Sequence, residues 1–213
     1  MVSDARYPLG VVAAAWGIYA DEAAASKDAA GLGFDHIDVS PAADASTLAL
    51  PVGSRVTWPG PTPGCISPPP FAEGGSWDET VAAYRAAPGA IMEPIARGVV
   101  NSLATVEAMA AEVPGLQFCI DTGHVADWGE DPLELLPFAT TVQLRQGRPG
   151  QTQVHIDDPA GVVDFAAVLD RLDELGYAGI LSVEYYDVPD WGWPLDDPVG
   201  WATDLAAHVR RLG

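Results

Sequence analysis

Residues 116–124, LQFCIDTGH, decide the fold because an apolar run within them ends in a carboxylate, Asp121. The same pattern, a short apolar run followed by an acid, recurs at Glu93 and Glu184 and more loosely at Asp38. A strand of a parallel sheet is covered on both faces, so a charge at its end must be paired or bound. Three acids in one register therefore predict three buried parallel strands that end at a shared site.

Outward from this stretch, short apolar strands alternate with helical patterns. Asp164 to Leu175, for example, places apolar residues on one helical face and charged residues on the other. Strands spaced by helices predict parallel β/α units with right-handed crossovers. We therefore expect an α/β fold, a TIM-like (β/α) barrel, as a single domain over residues 1–213. A barrel brings the carboxyl ends of all its strands to one face, where active sites form.

Residues 51–75 interrupt this alternation, because seven prolines fall within them. We predict a long loop here, with at most one short strand near Arg55 to Trp58. A full barrel typically needs ~250 residues, and this chain has 213. The proline-rich loop is therefore expected to replace one or more β/α units and to leave the barrel shortened or open on that side.

Composition restricts the partners and the location of the protein. The chain has 30 acidic and 10 basic residues, a formal net charge of −20, so it repels nucleic acids and anionic membranes. Two cysteines without a CxxC spacing form no disulfide framework. No window of ~18 apolar residues could span a bilayer. We expect a cytoplasmic protein that binds a small molecule and neither nucleic acid nor membrane, and a homo-oligomer is compatible with the sequence.

Carboxylates that converge within a few ångströms resist ionising together, and a divalent cation relieves the repulsion. All-oxygen ligands favour Mg²⁺ or Mn²⁺, and an added imidazole widens the choice to Zn²⁺ or Co²⁺. The alternative is that each acid caps the following helix or pairs with an arginine. Arg145 could form such a pair with Asp121 or could grip an anionic substrate, because a buried arginine is rare without a partner.

Four segments resemble the xylose-isomerase-like TIM barrel superfamily, which contains sugar phosphate isomerases and epimerases as well as abasic-site DNA nucleases. They are GLGFDHIDV (31–39), MEP (92–94), FCIDTGH (118–124) and GYAGILSVEYY (176–186). In such enzymes a divalent metal is held by a glutamate, an aspartate, a histidine and a glutamate from four successive strands. The two glutamates also serve as the acid and base that move a proton beside a carbonyl.

The resemblance implies that Glu93, Asp121 and Glu184 are metal ligands and that Glu93 and Glu184 are catalytic. Where the metal-binding histidine should stand, this chain has Gln143, whose amide oxygen can coordinate a hard cation but binds it more weakly than imidazole does. His155 is an alternative ligand, or else an ordinary loop or edge-strand histidine.

Four further residues are expected to bind the substrate. The resemblance implies this for His124, the histidine of the Asp-x-x-His motif. Asp38 is the looser fourth strand-end acid, and Arg145 has been introduced as a candidate for an anionic substrate. Trp16 ends the predicted first strand, Val11 to Trp16, and is a candidate for the floor of the pocket.

These residues together suggest a metal-dependent isomerase or epimerase that acts on a small sugar or polyol-like carbonyl compound. The metal would stabilise an enediolate, and the two glutamates would abstract and return the proton. A lyase or dehydratase on the same scaffold is the first alternative, because the same enediolate can expel a β-hydroxyl. A non-catalytic binding subunit that has lost the metal-site histidine is the second. The charge of −20 argues against a DNA nuclease.

Overall fold

Parallel strands form the centre of the molecule in a computed structural model that describes residues 6–58, 60–69 and 75–213. Within these residues the strands are β1 (Gly10–Val12), β2 (Ile37–Val39), β3 (Val52–Arg55), β4 (Ile66–Ser67), β5 (Ile91–Met92), β6 (Gln117–Asp121), β7 (Ala139–Leu144) and β8 (Ile180–Val183). Their order is β3-β2-β1-β8-β7-β6-β5-β4, and every neighbouring pair is parallel. A bridge between Val56 and Ile66 links the outer strands, so the sheet is a nearly closed barrel. The predicted α/β, TIM-like fold is confirmed.

Helices connect most of these strands. In the described residues they are α1 (Glu22–Gly31), α2 (Trp77–Ala86), α3 (Leu103–Glu112), α4 (Thr122–Trp128), α5 (Pro132–Leu135), α6 (Phe165–Glu174) and α7 (Pro198–Leu212). Their starts follow from capping residues that accept the free N–H groups of the first turn, such as Asp21, the Ser76 capping box and Asp164. The predicted amphipathic helix is α6, which buries its apolar face against the barrel.

The proline-rich region contains two strands, so the prediction of at most one is wrong. Both β3 and β4 lie within residues 51–75, and no proline falls inside either strand, which leaves their N–H groups free to pair. A two-residue strand such as β4 carries no alternation that a sequence pattern could reveal. The barrel is shortened by the loss of helices instead. Among the described residues, a 3-10 turn, Ala45–Thr47, separates β2 from β3, and no helix separates β3 from β4.

The first strand is shorter than predicted. It ends at Val12, and Ala13–Trp16 form a 3-10 helix. Alanine is depleted in strands, so the run of three alanines does not extend β1. Trp16 is therefore carried away from the strand axis, and its ring packs against the hydrophobic core.

The buried apolar residues form two clusters. One surrounds β1, β2, β7 and β8 and is covered by α1, α6 and α7; the other joins β5 and β6 to α2 and α3. In the part of the chain that the structure describes, no helix is long and apolar enough to cross a membrane.

Candidate active site

The acids predicted at strand ends lie together at the carboxyl end of the barrel. Asp121 is the last residue of β6, Glu93 directly follows β5, and Glu184 directly follows β8. All three side chains are buried. Gln143 in β7 is the register partner of Asp121, which brings its amide to the same level. The four residues expected to ligate a metal are thus neighbours in space.

The side chain of Arg145, the residue after β7, lies among these carboxylates and is fully buried. Its Nε and Nη2 donate to Oδ2 of Asp121 at 3.0 and 2.5 Å, and Nη2 also donates to Oε2 of Glu184. Its Nη1 donates to Oε1 of Gln153 at 3.4 Å. The guanidinium carbon is 5.1 Å from the ring centroid of Tyr186. The pairing with Asp121 is one of the two roles that the sequence suggested for Arg145.

Asp121 is held from its other side by the start of a helix. Its Oδ1 accepts hydrogen bonds from the backbone N–H groups of Gly123, at 2.7 Å, and His124, at 3.1 Å, so Asp121 is the N-cap of α4. Burial alone would raise the pKa of Asp121, but the guanidinium of Arg145 holds it below its ordinary value. The lowered pKa favours the ionised form of Asp121, and four hydrogen bonds hold its two oxygens.

Gln143 uses both ends of its amide within the barrel. Its Nε2 donates to Oε1 of Glu184 at 3.0 Å, and its Oε1 accepts from the thiol of Cys119 at 3.1 Å. Burial raises the pKa of the Glu184 carboxyl, and the contact with Arg145 opposes that shift. Gln143 and Arg145 together fix the position of the Glu184 carboxylate.

Glu93 and His124 face each other without a hydrogen bond. Oε1 of Glu93 is 3.7 Å from Nε2 of His124, and neither atom has a hydrogen-bond partner among the described residues. Nδ1 of His124 accepts from the backbone N–H of Ala96 at 3.3 Å, so the proton of the neutral ring belongs on Nε2. Burial and the charge of Asp121 raise the pKa of Glu93 to about 8, and burial lowers that of His124 to about 3. Near neutral pH Glu93 is therefore largely protonated, and the His124 ring is uncharged.

The donor atoms of Glu93, Asp121 and His124 lie within 4.8 Å of one another, a spacing that could hold a metal ion. Their present contacts do not fit one. Both oxygens of Asp121 already accept two hydrogen bonds each, which uses the roughly four acceptor sites of a carboxylate. The Gln143 oxygen faces a thiol, and Nε2 of His124 carries a proton. The positive charge that the acids require is already supplied by Arg145.

A cavity of about 700 Å³ opens above this cluster. Glu93, Glu184 and His124 line it, and so does Asp38 from β2. Aromatic rings form much of the remaining wall: Trp58, Tyr186, Trp191 and Trp193. No lysine or arginine is among the lining residues that the structure describes. The wall is acidic and aromatic, as suits a neutral polyhydroxy ligand.

Three residues named from the sequence lie elsewhere. Arg145 is buried beneath the cavity and does not line it, because its guanidinium turns inward to Asp121. Trp16 does not line it either, because its side chain packs against the hydrophobic core. His155 packs on Trp201, with ring centroids 5.2 Å apart, and its Nε2 lies 3.1 Å from Oδ2 of Asp204. His155 is thus an ordinary loop histidine.

Sequence reasoning missed Tyr186 and Gln153. Tyr186 stands two residues after Glu184, and the two-residue period of an extended chain places both side chains on the same side. This signal was present in the segment 176–186. Gln153 has no comparable signal, because its contact with Arg145 depends on the path of a loop.

The fold and the site together define a class, the α/β barrels with a cluster of acids at the carboxyl ends of their strands. The family described as "Xylose isomerase-like TIM barrel" matches residues 76–212, so the chain belongs to that family. Comparison with curated protein sequences finds no match.

Solved structures of the same architecture include several sugar epimerases. An L-ribulose 3-epimerase is 17% identical, with a TM-score of 0.69 over 96% of this chain and 93% of that one. A 3-keto-D-glucoside 4-epimerase from E. coli is 14% identical, with a TM-score of 0.69 over 97% and 100%. A D-allulose 3-epimerase from Methylomonas sp., solved with D-allulose, is 16% identical, with a TM-score of 0.65 over 100% and 99%.

Proposed function

We propose that this protein is an isomerase or epimerase that moves a proton beside the carbonyl of a small, unphosphorylated keto-sugar or a related polyol-like carbonyl compound. The observation that carries the proposal is the pair of buried glutamates, Glu93 and Glu184, which both line the cavity. The sugar epimerases among the structural neighbours support the same class of substrate.

The two glutamates have the properties that proton transfer requires. Burial raises the pKa of both carboxyl groups, and the charge of Glu93 raises the pKa of Glu184 further. Such a pair loses its two protons in separate steps, so between these steps one group holds a proton while the other is free to accept one. One glutamate would take the proton from the carbon beside the carbonyl, and the other would return a proton to the enediolate.

The cavity wall indicates the charge of the substrate. Asp38, Glu93 and Glu184 line it, and none of the described lining residues is a lysine or arginine that would neutralise a phosphate. Aromatic rings such as Trp191 and Trp193, 5.8 Å apart at their centroids, suit the apolar faces of a sugar ring. His124, whose Nε2–H is free to donate, would contact a substrate oxygen.

A reducing compartment is the expected place of action. The two cysteines, Cys65 and Cys119, are free and buried, and thiols persist in this form in the cytoplasm. We infer a cytoplasmic enzyme.

Exchange of hydrogen for deuterium at the carbon beside the carbonyl tests the proposal. D-allulose, L-ribulose and related free ketoses are incubated with the protein in D₂O and followed by NMR. We expect exchange with the wild type and a loss of about 100-fold or more in Glu93→Gln and in Glu184→Gln. Glu107→Gln, an exposed change on α3, is the matched control and keeps the wild-type rate.

The same spectra separate the alternatives. A dehydrated product in place of an epimer assigns the protein to the lyases. A wild-type rate equal to that of buffer for every ketose overturns the proposal.

A binding role without turnover is the second candidate function. It is favoured by the contact of Arg145 with Asp121 and Glu184, which ties up two of the three acids. In that case free ketoses would raise the melting temperature of the protein while exchange stays at the rate of buffer.

A further inference from the structure

We propose that the guanidinium of Arg145 is the permanent cation of this site and that the protein works without a divalent metal. The inference deepens the proposed function and rests on it only for its catalytic consequence. It departs from the metal site that the strand-end acids suggest.

Arg145 balances the charge of two buried acids. Asp121 and Glu184 are buried acids on different strands, and Nη2 of Arg145 donates to both. Two carboxylates this close need a positive charge between them. The guanidinium stands at the point where their oxygens converge, which is the point that a shared divalent ion would have to occupy. A second cation there would be repelled by the first.

The residues around Arg145 leave space for its side chain and enclose it. A Cβ at Gly123 would lie 2.9 Å from Cβ and 3.0 Å from Cδ of Arg145, so only glycine leaves room for its stem. Tyr186 and Trp193 stack near the guanidinium, with ring centroids 5.1 and 6.0 Å from its carbon. Gln153 accepts from Nη1, and its own Nε2 donates to the carbonyl oxygen of Tyr186 at 3.0 Å. Arg145 is enclosed on these sides and has no room to swing away for an ion.

The amide of Gln143 is also oriented to suit a guanidinium and not a metal ion. Gln143 turns its amide N–H, rather than its oxygen, towards Glu184. An amide in this orientation donates a hydrogen bond to the carboxylate that Arg145 also holds, and it presents no oxygen ligand to a metal ion there. Thus Glu184 is anchored by two donors and keeps its place on the cavity wall.

Arg145 is accordingly a positioning residue. It does not line the cavity, so it acts through Glu184, which does. With the cation supplied by the chain, the catalytic geometry is fixed at folding and is independent of the supply of metal. Chelators are then expected to leave proton exchange unchanged.

Titration with Mn²⁺ alone tests this inference on the full chain, after treatment with a chelator and dialysis. Binding is followed by calorimetry and by the EPR signal of free Mn²⁺. We expect no stoichiometric site in the wild type or in Arg85→Gln, a control that removes an exposed arginine paired with Glu112. Arg145→Gln removes the internal cation and is expected to bind one Mn²⁺ at least about ten-fold more tightly than the wild type.

Each outcome decides the inference. One Mn²⁺ bound per wild-type chain, and lost in Glu184→Gln, overturns it, and so does a folded Arg145→Gln that gains no affinity. If Arg145→Gln does not fold, the wild type and Arg145→Lys, which keeps the charge, decide alone: no Mn²⁺ site in either supports the inference. Because the readout is metal binding, a lack of proton exchange overturns the proposed function and leaves this inference standing.

Discussion

The two halves of the barrel are built differently. From β5 to β8 every connection contains at least one α-helix, whereas from β2 to β4 the described connections contain only a 3-10 turn. The strand-end acids Glu93, Asp121 and Glu184 and the buried Arg145 come from the β5–β8 half, whereas β2 in the other half carries the buried acid Asp38. In the other half, β3 and β4 end in Arg55 and Ser67, and neither end carries an acid.

This difference shows where a charged cluster can be buried. Helices cover the outer face of the β5–β8 strands, exclude water and keep the acids in a low dielectric. The segment just beyond β3 contributes an uncharged part of the wall, because Val56, Thr57 and Trp58 line the cavity there. The described connections between β2 and β4 can therefore lack an α-helix without disturbing Glu93, Asp121 and Glu184.

Replacement of one arginine in each half should give the largest difference in the free energy of unfolding between the two halves. Arg145→Met leaves Asp121 and Glu184 without their counter-ion and should lower the free energy of unfolding by about 3 to 5 kcal/mol. Arg55 donates to the backbone carbonyls of Ser40 and Ala43, so Arg55→Met should cost only about 1 to 2 kcal/mol. Urea unfolding measures both, and equal losses would remove the distinction between the halves.

The pH dependence of stability should come in part from Glu93. Burial raises its pKa from 4.5 to about 8 in the folded protein, so the folded state keeps a proton that the unfolded state has released. The stabilisation by protonated Glu93 is complete below the pKa of the unfolded state and is lost as pH rises through the pKa of the folded state. Over this range the free energy of unfolding falls by up to about 1.4 kcal/mol per pH unit. Glu93→Gln should remove this part of the slope in urea unfolding at a series of pH values. Glu107→Gln should follow the wild type, and parallel curves for wild type and Glu93→Gln would contradict the prediction.

Adding a methyl group to one glycine in each half should give a smaller difference in stability between the halves than the arginine replacements do. In Gly123→Ala the new Cβ would lie 2.2 Å from the carbonyl oxygen of Thr152, which should cost about 1 to 3 kcal/mol in thermal unfolding. Gly31→Ala, at the end of α1, meets no atom within 4 Å and should be neutral or slightly stabilising. A neutral Gly123→Ala would show that α4 can shift away from Arg145.

The strand-end acids could be predicted from the sequence because a charge that closes an apolar run has few structural explanations. The register of parallel strands then places Glu93, Asp121 and Glu184 together without knowledge of the loops. The ion pair between Arg145 and Asp121 could be predicted for the same reason, since a buried arginine requires an acidic partner.

Other features had no signal of this kind. The second contact of Arg145, with Glu184, depends on a side-chain conformation set by Gly123 and Tyr186. The strand β4 has only two residues, too few to show a period. The position of Trp16 was misjudged because the sequence does not mark where β1 gives way to a 3-10 helix.

The junction between β3 and β4 has a mechanical consequence. Among the described residues a single bridging pair, Val56 and Ile66, holds these strands together, whereas four register pairs join β7 to β8. Local opening costs least free energy where backbone pairing is sparsest, so we expect the barrel to open most easily at the junction between β3 and β4. Because Val56 also borders the cavity, the entrance can widen there while the rigid side keeps the reactive groups in register.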